Sequence, residues 1–285
     1  MEDGAVFNGT TLNLQEKMAE VLETLVQIPE FEKLISIPRF QSTTGLPSQD
    51  EAESWDVFVS RASGISRPSF ERLAFHEPMM ISFSSGTTGP PKGIVHSVGG
   101  VLLNGAKEGM LHEDISPKDT VLQYTTTSWI MHLATVMPLL AGAKTVLYDG
   151  SLFFPDPVAF VRLVGELKVT KLGTSPGWMQ RLRSHSIVPQ TTTDLSHLRL
   201  VTSTGMVLQN DLFKWFYDVA FPRHTQLFNM SGGTDIVSPL KCVECAQLVS
   251  NYPRLDVSLS ETPFRPCTRG GAKVSPVKFL QRCAG

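Results

Sequence analysis

The segment FSSGTTGPPKG, Phe83 to Gly93, gathers the residues best suited to polyanion chemistry in this 285-residue chain. Hydroxyls on Ser84, Ser85, Thr87 and Thr88 are donors, Gly86, Gly89 and Gly93 let the backbone turn its N–H groups inward, and Lys92 supplies positive charge. Such a loop suits the phosphate end of a nucleotide. A Walker A loop requires Gly, four residues, then Gly-Lys-Ser/Thr. Here Lys92 is preceded by Pro91 and followed by Gly93, so the magnesium-binding hydroxyl after the lysine is missing. The dinucleotide pattern GxGxxG fails as well, because Gly86 and Gly89 stand three apart. A flexible linker rarely sets this density of hydroxyls beside Pro-Pro-Lys-Gly directly after an apolar run.

Two later stretches offer related chemistry: STGMV (Ser203 to Val207) and MSGGTDI (Met230 to Ile236). Asp235 is a hard oxygen donor of the kind Mg²⁺ accepts beside phosphate oxygens, although by residue type alone it also suits a helix N-cap. Trp129, taken in isolation, fits a core position more readily than a pocket. The elements that must position these loops alternate along the chain. Strands are expected at Met79 to Phe83, Thr120 to Tyr124, Lys144 to Tyr148, Thr170 to Gly173, Leu198 to Thr202 and Gln226 to Asn229. Helices are expected near Val98 to Leu111, Trp129 to Ala141, Asp156 to Leu167, Gly177 to Ser184 and Gln209 to Phe221. That alternation predicts an α/β fold with a mainly parallel sheet and flanking helices. Ligands of such sheets bind outside the carboxyl ends of the strands, which is where the three loops should fall. Nearer the N-terminus, Asn13 is expected to cap a helix carrying Leu14, Met18, Val21, Leu22 and Leu25 on one face, and KLISIP to form a short strand. Gln41 to Pro68 reads as a long surface connection whose apolar island is Trp55 with Val57 to Val59.

The string ISFSSGTTGPPKGIVHS resembles the signature loop of the adenylate-forming enzymes, the superfamily of acyl-CoA synthetases, luciferases and peptide-synthetase adenylation domains. Together with KLGTSP (Lys171 to Pro176), STGMVL and FNMSGGTDI, it is most similar to the acetoacetate-activating branch. The resemblance implies part of that superfamily's large domain, with ATP, Mg²⁺ and the co-substrate CoA. It places Ser84, Ser85, Gly86, Thr87, Thr88, Gly89, Lys92 and Gly93 around the β- and γ-phosphates. Gly205 and Met206 match a Gly-Glu-Pro segment against adenine, Met206 being a departure that removes a carboxylate. Gly232 and Gly233 match the other adenine wall, Thr234 the α-phosphate contact, Asp235 the Mg²⁺ ligand and Trp129 the lining of the acyl pocket. Lys92 and Thr234 are the residues expected to act on the reacting phosphates. In the implied chemistry a carboxylate attacks the α-phosphorus, pyrophosphate leaves, and a thiol later displaces AMP. Both first reactants are anions, so the protein must chiefly neutralise, align and dehydrate them.

Composition narrows the alternatives. A net charge of −2 without a basic stripe argues against nucleic acid as a partner. The longest apolar stretch, Trp129 to Ala143, is interrupted by His132 and Pro138 and falls short of the roughly 18 residues a membrane span needs. No secretory h-region opens the chain, which gives a cytosolic expectation and an unused sequon at Asn8. The small molecules ATP, acetoacetate and CoA are the expected partners. From residue 237 the composition shifts to seven Lys/Arg against three acids, with all four cysteines. Cys242 and Cys245 form a CxxC, but Cys267 and Cys283 do not complete a zinc ribbon. An HExxH motif is absent from the sequence. The expected organisation is 1–70 completing an N-terminal part of the AMP-binding domain, 71–236 as its core, and 237–285 as a disordered tail outside the family. On this reading the chain is the central portion of a longer enzyme, the tail is replacement sequence, and the C-terminal lid domain is absent.

Overall fold

A computed structural model describes residues 1–7, 9–40, 51–62, 64, 67, 69–84 and 89–242. The chain divides into two units, Met1–Arg72 with Asp149–Ala159, and Leu73–Tyr148 with the residues from Phe160 onward.

In the first unit, β1 (Gly4–Phe7) and β2 (Thr10–Asn13) pair antiparallel about Gly9, whose φ of +81° lies in the left-handed region. Helix α1 (Gln15–Leu25) follows, and its expected face buries Met18 and Leu22 against Leu34, Ala52 and Phe31. Asn13 stands one residue too early to be the N-cap, since it closes β2 and Leu14 takes the cap position. Its Oδ1 still accepts the Gln15 N–H at 2.9 Å. Strand β3 (Leu34–Ser36) lies within KLISIP and pairs parallel with β4 (Ala52–Ser54), which runs into α2 (Trp55–Ser60). The Ser54 hydroxyl accepts the Val57 N–H at 3.4 Å and caps that helix. The stretch read as a surface connection therefore holds a strand and a helix, both too short to impose a period on the sequence. Residues 41–50 lie outside the described residues.

The second unit opens with β5 (Pro78–Phe83) and β6 (Gly93–Ser97), which pair antiparallel as a separate two-stranded sheet. The strand before the phosphate-type loop was expected in the parallel sheet. It forms a ribbon instead, because the β-branched Ile94 and Val95 follow within hairpin distance. There follow α3 (Val98–Lys107), β7 (Thr120–Gln123), α4 (Leu133–Val136), β8 (Lys144–Val146), α5 (Ala159–Glu166), β9 (Lys171–Thr174), α6 (Pro176–Ser184), α7 (Pro189–Thr192), β10 (Leu200–Ser203), α8 (Asn210–Trp215), β11 (Gln226–Gly233) and β12 (Ser238–Cys242). The main sheet runs β12-β11-β10-β9-β7-β8, with β12 antiparallel on the edge and the other five strands parallel.

Val121, Leu122, Leu172 and Val201 are completely buried, as expected for central parallel strands covered on both faces. Behind them Phe160, Trp178, Phe221 and Phe216 form a chain of ring contacts that seats the helices. The expected helix from Trp129 to Ala141 is broken into 3₁₀ turns at Ile130–His132 and Met137–Ala141 around the single turn of α4, where Pro138 and the left-handed Gly142 stop it. Residues 238–242 form β12, so the expected unstructured tail begins with a paired strand; residues from 243 onward lie outside the described residues.

Candidate active site

The chain leaves β7 toward β8 on one side and leaves β9 toward β10 on the other, so a crevice opens at the carboxyl ends between β7 and β9. Trp129 follows β7 into that crevice, with its N–H donating to the Thr126 carbonyl and its own carbonyl starting the first 3₁₀ turn. Opposite it, Gly205 follows β10 with φ +89°, and a Cβ there would stand 3.2 Å from the Trp129 indole. Glycine is needed at this point twice over, for the backbone angle and for the ring. Met206 reaches over the amino end of α6, its sulfur 3.2 Å from where a Gly177 Cβ would be.

The third loop turns between β11 and β12. The register shifts between Ser231 and Gly232, Gly232 then pairs with Pro239 and Gly233 with Ser238, and Val237 takes a φ of +51°. Helix α3 holds this turn: Asn104 Nδ2 donates to the Ile236 and Val237 carbonyls, each at 3.0 Å, and Lys107 Nζ donates to Ser238 Oγ at 3.2 Å. Ser238 in turn donates to Glu108 at 2.8 Å. These positioning residues escaped the sequence reading. Their signal was there, since Asn104, Lys107 and Glu108 are polar residues at i, i+3 and i+4 of an otherwise apolar helix.

A cavity of about 680 Å³ collects Trp129, Gly205, Met206, Gly232, Gly233 and Thr234 in its lining. That volume is ample for a nucleotide-sized ligand. The remaining walls are mostly apolar, with Val101, Ile115, Met131, Leu133 and Met137 among them, and Glu108, Glu113 and Lys171 also line it. Asp235 is exposed, its Oδ2 lying 3.7 Å from the Cβ position of Gly233, beside the cavity rather than among its lining residues.

The phosphate-type loop is placed less completely. Ser85, Gly86, Thr87 and Thr88 lie outside the described residues. Ser84 and Lys92 face each other at the two ends of the loop, with Ser84 N–H donating to the Lys92 carbonyl at 3.0 Å and Lys92 N–H to Ser84 Oγ at 3.4 Å. Lys92 and Gly89 are exposed, and Gly93 packs against Ile81 and Phe83. None of these four lines the cavity.

Beneath the site the sheet's amino end is tied by charge. Arg199 donates to Asp119 Oδ1 at 2.9 Å and to the Glu113 and Asp114 carbonyls, while Thr170 donates to Asp119 at 2.7 Å and Ser116 to its other oxygen. Burial alone pushes the Asp119 carboxyl upward, but the hydrogen bonds from Arg199, Thr170 and Ser116 outweigh it and hold the group at about 2. At the crevice, burial pushes the Tyr124 phenol up.

The family model for AMP-binding enzymes matches residues 6–260. The chain belongs to the AMP-binding enzyme family. Among curated relatives it is 36% identical over 240 residues to acetoacetyl-CoA synthetase of Gallus gallus, covering 83% of this chain and 35% of that protein. It is 43% identical over 169 residues to the acetoacetyl-coenzyme A synthetase of Rhizobium meliloti, covering 59% of this chain and 26% of that one. The solved acetoacetyl-CoA synthetase from Streptomyces lividans superposes with a TM-score of 0.74 at 32% identity, over 85% of this chain and 36% of that chain. This AMP-binding chain thus shares the adenylate-forming fold and spans about a third of the length of the relatives it matches. No described helix is long and apolar enough to cross a membrane.

Proposed function

We propose that this chain supplies the nucleotide- and acid-binding region of an ATP-dependent acid–thiol ligase that joins acetoacetate to CoA through an acyl adenylate, in the cytosol and in support of lipid synthesis. The observation that carries this reading is the convergence of Trp129, Gly205, Met206, Gly232, Gly233 and Thr234, from three separate loops, on one cavity at the carboxyl ends of the sheet. Adenine lies between the Gly205–Met206 and Gly232–Gly233 segments, whose glycines leave room for its ring. The Thr234 hydroxyl donates to an oxygen on the α-phosphorus, and Trp129 walls off the acid from water. Lys92, with the hydroxyls of Ser84, Ser85, Thr87 and Thr88 and the backbone at Gly86, Gly89 and Gly93, neutralises the leaving pyrophosphate. Asp235 suits Mg²⁺, being one exposed hard oxygen donor where phosphate oxygens and water complete the shell; bound there, the ion would screen the charge on the phosphates. A protein nucleophile is not required, because the substrate carboxylate itself attacks.

Exchange of labelled pyrophosphate into ATP tests this. Exchange that depends on acetoacetate, and falls at least about a hundredfold in Lys92→Ala, is the expected result. Exchange that ignores acetoacetate would overturn the substrate, and an unchanged rate in the variant would overturn the role of Lys92. ATP binding without any exchange would assign this polypeptide a nucleotide-binding role without turnover.

A further inference from the structure

The cavity has a second end. Lys171, the first residue of β9, and Glu113 both line it, and their side chains are ion-paired while only 2% and 8% of each residue is exposed. Lys171 stands three residues before Thr174, the last residue of β9, which is about 10 Å of strand below the rim where the glycine loops begin. Val101, Ile115, Met131, Leu133 and Met137 supply much of the rest of the lining.

This pair is not fully used by the protein. An ammonium has three N–H donors, and among the described residues Lys171 gives one to Glu113 Oε2. The bond to Lys171 engages Glu113 through Oε2 and leaves Oε1 as a further acceptor. The neighbouring Lys107–Glu108 pair differs, since Ser238 bridges it by accepting from one and donating to the other. Spare donors and a spare acceptor on two nearly buried side chains, in a cavity whose lining is mostly apolar but also includes Glu108, Asn229 and Ser231, are a place where a polar group would be met. The charges of Glu113 and Lys171 cancel, so the spot offers a further carboxylate no net counter-charge to offset its desolvation and an alkyl end no polar partner, yet can both give and take hydrogen bonds.

We propose that Glu113 and Lys171 read the far end of the acid substrate, selecting a chain that ends in a neutral hydrogen-bonding group such as an amide, oxo or hydroxyl group. This rests on the nucleotide reading of the rim, not on the choice of acetoacetate, and adds a preference among acids long enough to reach the pair. An acid that stops short of the pair leaves its donors to water and forgoes the selection.

Calorimetric titration of the full chain separates the two readings. The probes are AMP and three acyl-sulfamoyl adenosines of equal, medium chain length that end in methyl, primary amide and carboxylate. AMP binds, and the amide-ended compound binds at least about tenfold tighter than either of the others. If AMP binds and the methyl- or carboxylate-ended compound matches or beats the amide, this inference falls while the nucleotide reading stands. If AMP does not bind, both fall. The double variant Lys171→Met, Glu113→Leu, which leaves no lone charge behind, erases the amide preference; a retained preference overturns the proposal. Glu113→Gln keeps the shape but frees the Lys171 charge, and the carboxylate-ended compound then gains about tenfold. An unchanged order of affinities in that variant overturns the proposal on its own, even if the double variant does not fold.

Discussion

At the amino end of the parallel sheet the Asp119 carboxylate accepts from Arg199, Thr170 and Ser116, and Thr170 Oγ1 also accepts the Thr120 N–H at 3.0 Å. At the carboxyl end the buried Gln123 Oε1, Thr174 Oγ1, Thr202 Oγ1, Ser203 Oγ and Asn229 Oδ1 have no hydrogen-bond partner among the described residues. Residues of similar type thus meet opposite fates about 10 Å apart on the same strands. An unpartnered buried polar atom costs about 1–3 kcal/mol, so such atoms at the carboxyl end are places where a bound polar group would be favoured. One end fixes the order of the strands; the other is left with hydrogen-bonding capacity where the binding loops start.

The comparison can be broken most forcefully at Lys171. Lys171→Met leaves the Glu113 carboxylate buried without its partner and should lower stability by about 3–5 kcal/mol, read from the urea midpoint, with most of the loss recovered when Glu113→Leu is added. A midpoint that stays put in the single variant would show that the amino end does not carry the sheet. Asp119→Asn comes next, at about 2 kcal/mol near neutral pH. Because the folded group sits at about 2 and its ordinary value is 3.8, the contribution is complete above that ordinary value and fades as pH falls toward 2. Thermal melts of wild type and variant should therefore converge in acid, and a gap that persists would point to packing instead of charge. Gly205→Ala should cost about 1–2 kcal/mol through its left-handed backbone and should weaken AMP binding by pushing on Trp129, both measurable in one titration series. Ser203→Ala is the smallest change. With no partner lost, stability should move by less than about 1 kcal/mol and in the favourable direction, whereas a loss of about 2 kcal/mol would reveal a partner for that hydroxyl.

The parallel strands and most of their helices were legible because short runs such as TVLQ and KLGT set Val121, Leu122 and Leu172 between helical patterns, and burial on both faces favours such apolar centres. The loops STGMV and MSGGTDI were legible through their glycines, whose freedom is written into residue type. Three kinds of feature were not. The pairing of β5 with β6 depends on which strand a segment meets, and PMMISF reads alike in a ribbon and in a parallel sheet. The grip of Asn104 on the Ile236 and Val237 carbonyls joins residues 132 and 133 positions apart, which no local pattern encodes. The Glu113–Lys171 pair, 58 positions apart, is hidden for the same reason, and a lysine opening a buried strand reads as an exposed end.

Strand β12 carries a further consequence. Had the chain stopped pairing at Gly233, β11 would present a bare row of N–H and C=O groups to solvent, a template on which another chain could add itself. Instead β12 covers that row, and its second residue is Pro239, which has no N–H to offer a seventh strand at that position. The segment that follows the Thr234 turn therefore also takes the place beside β11 that another strand could have occupied.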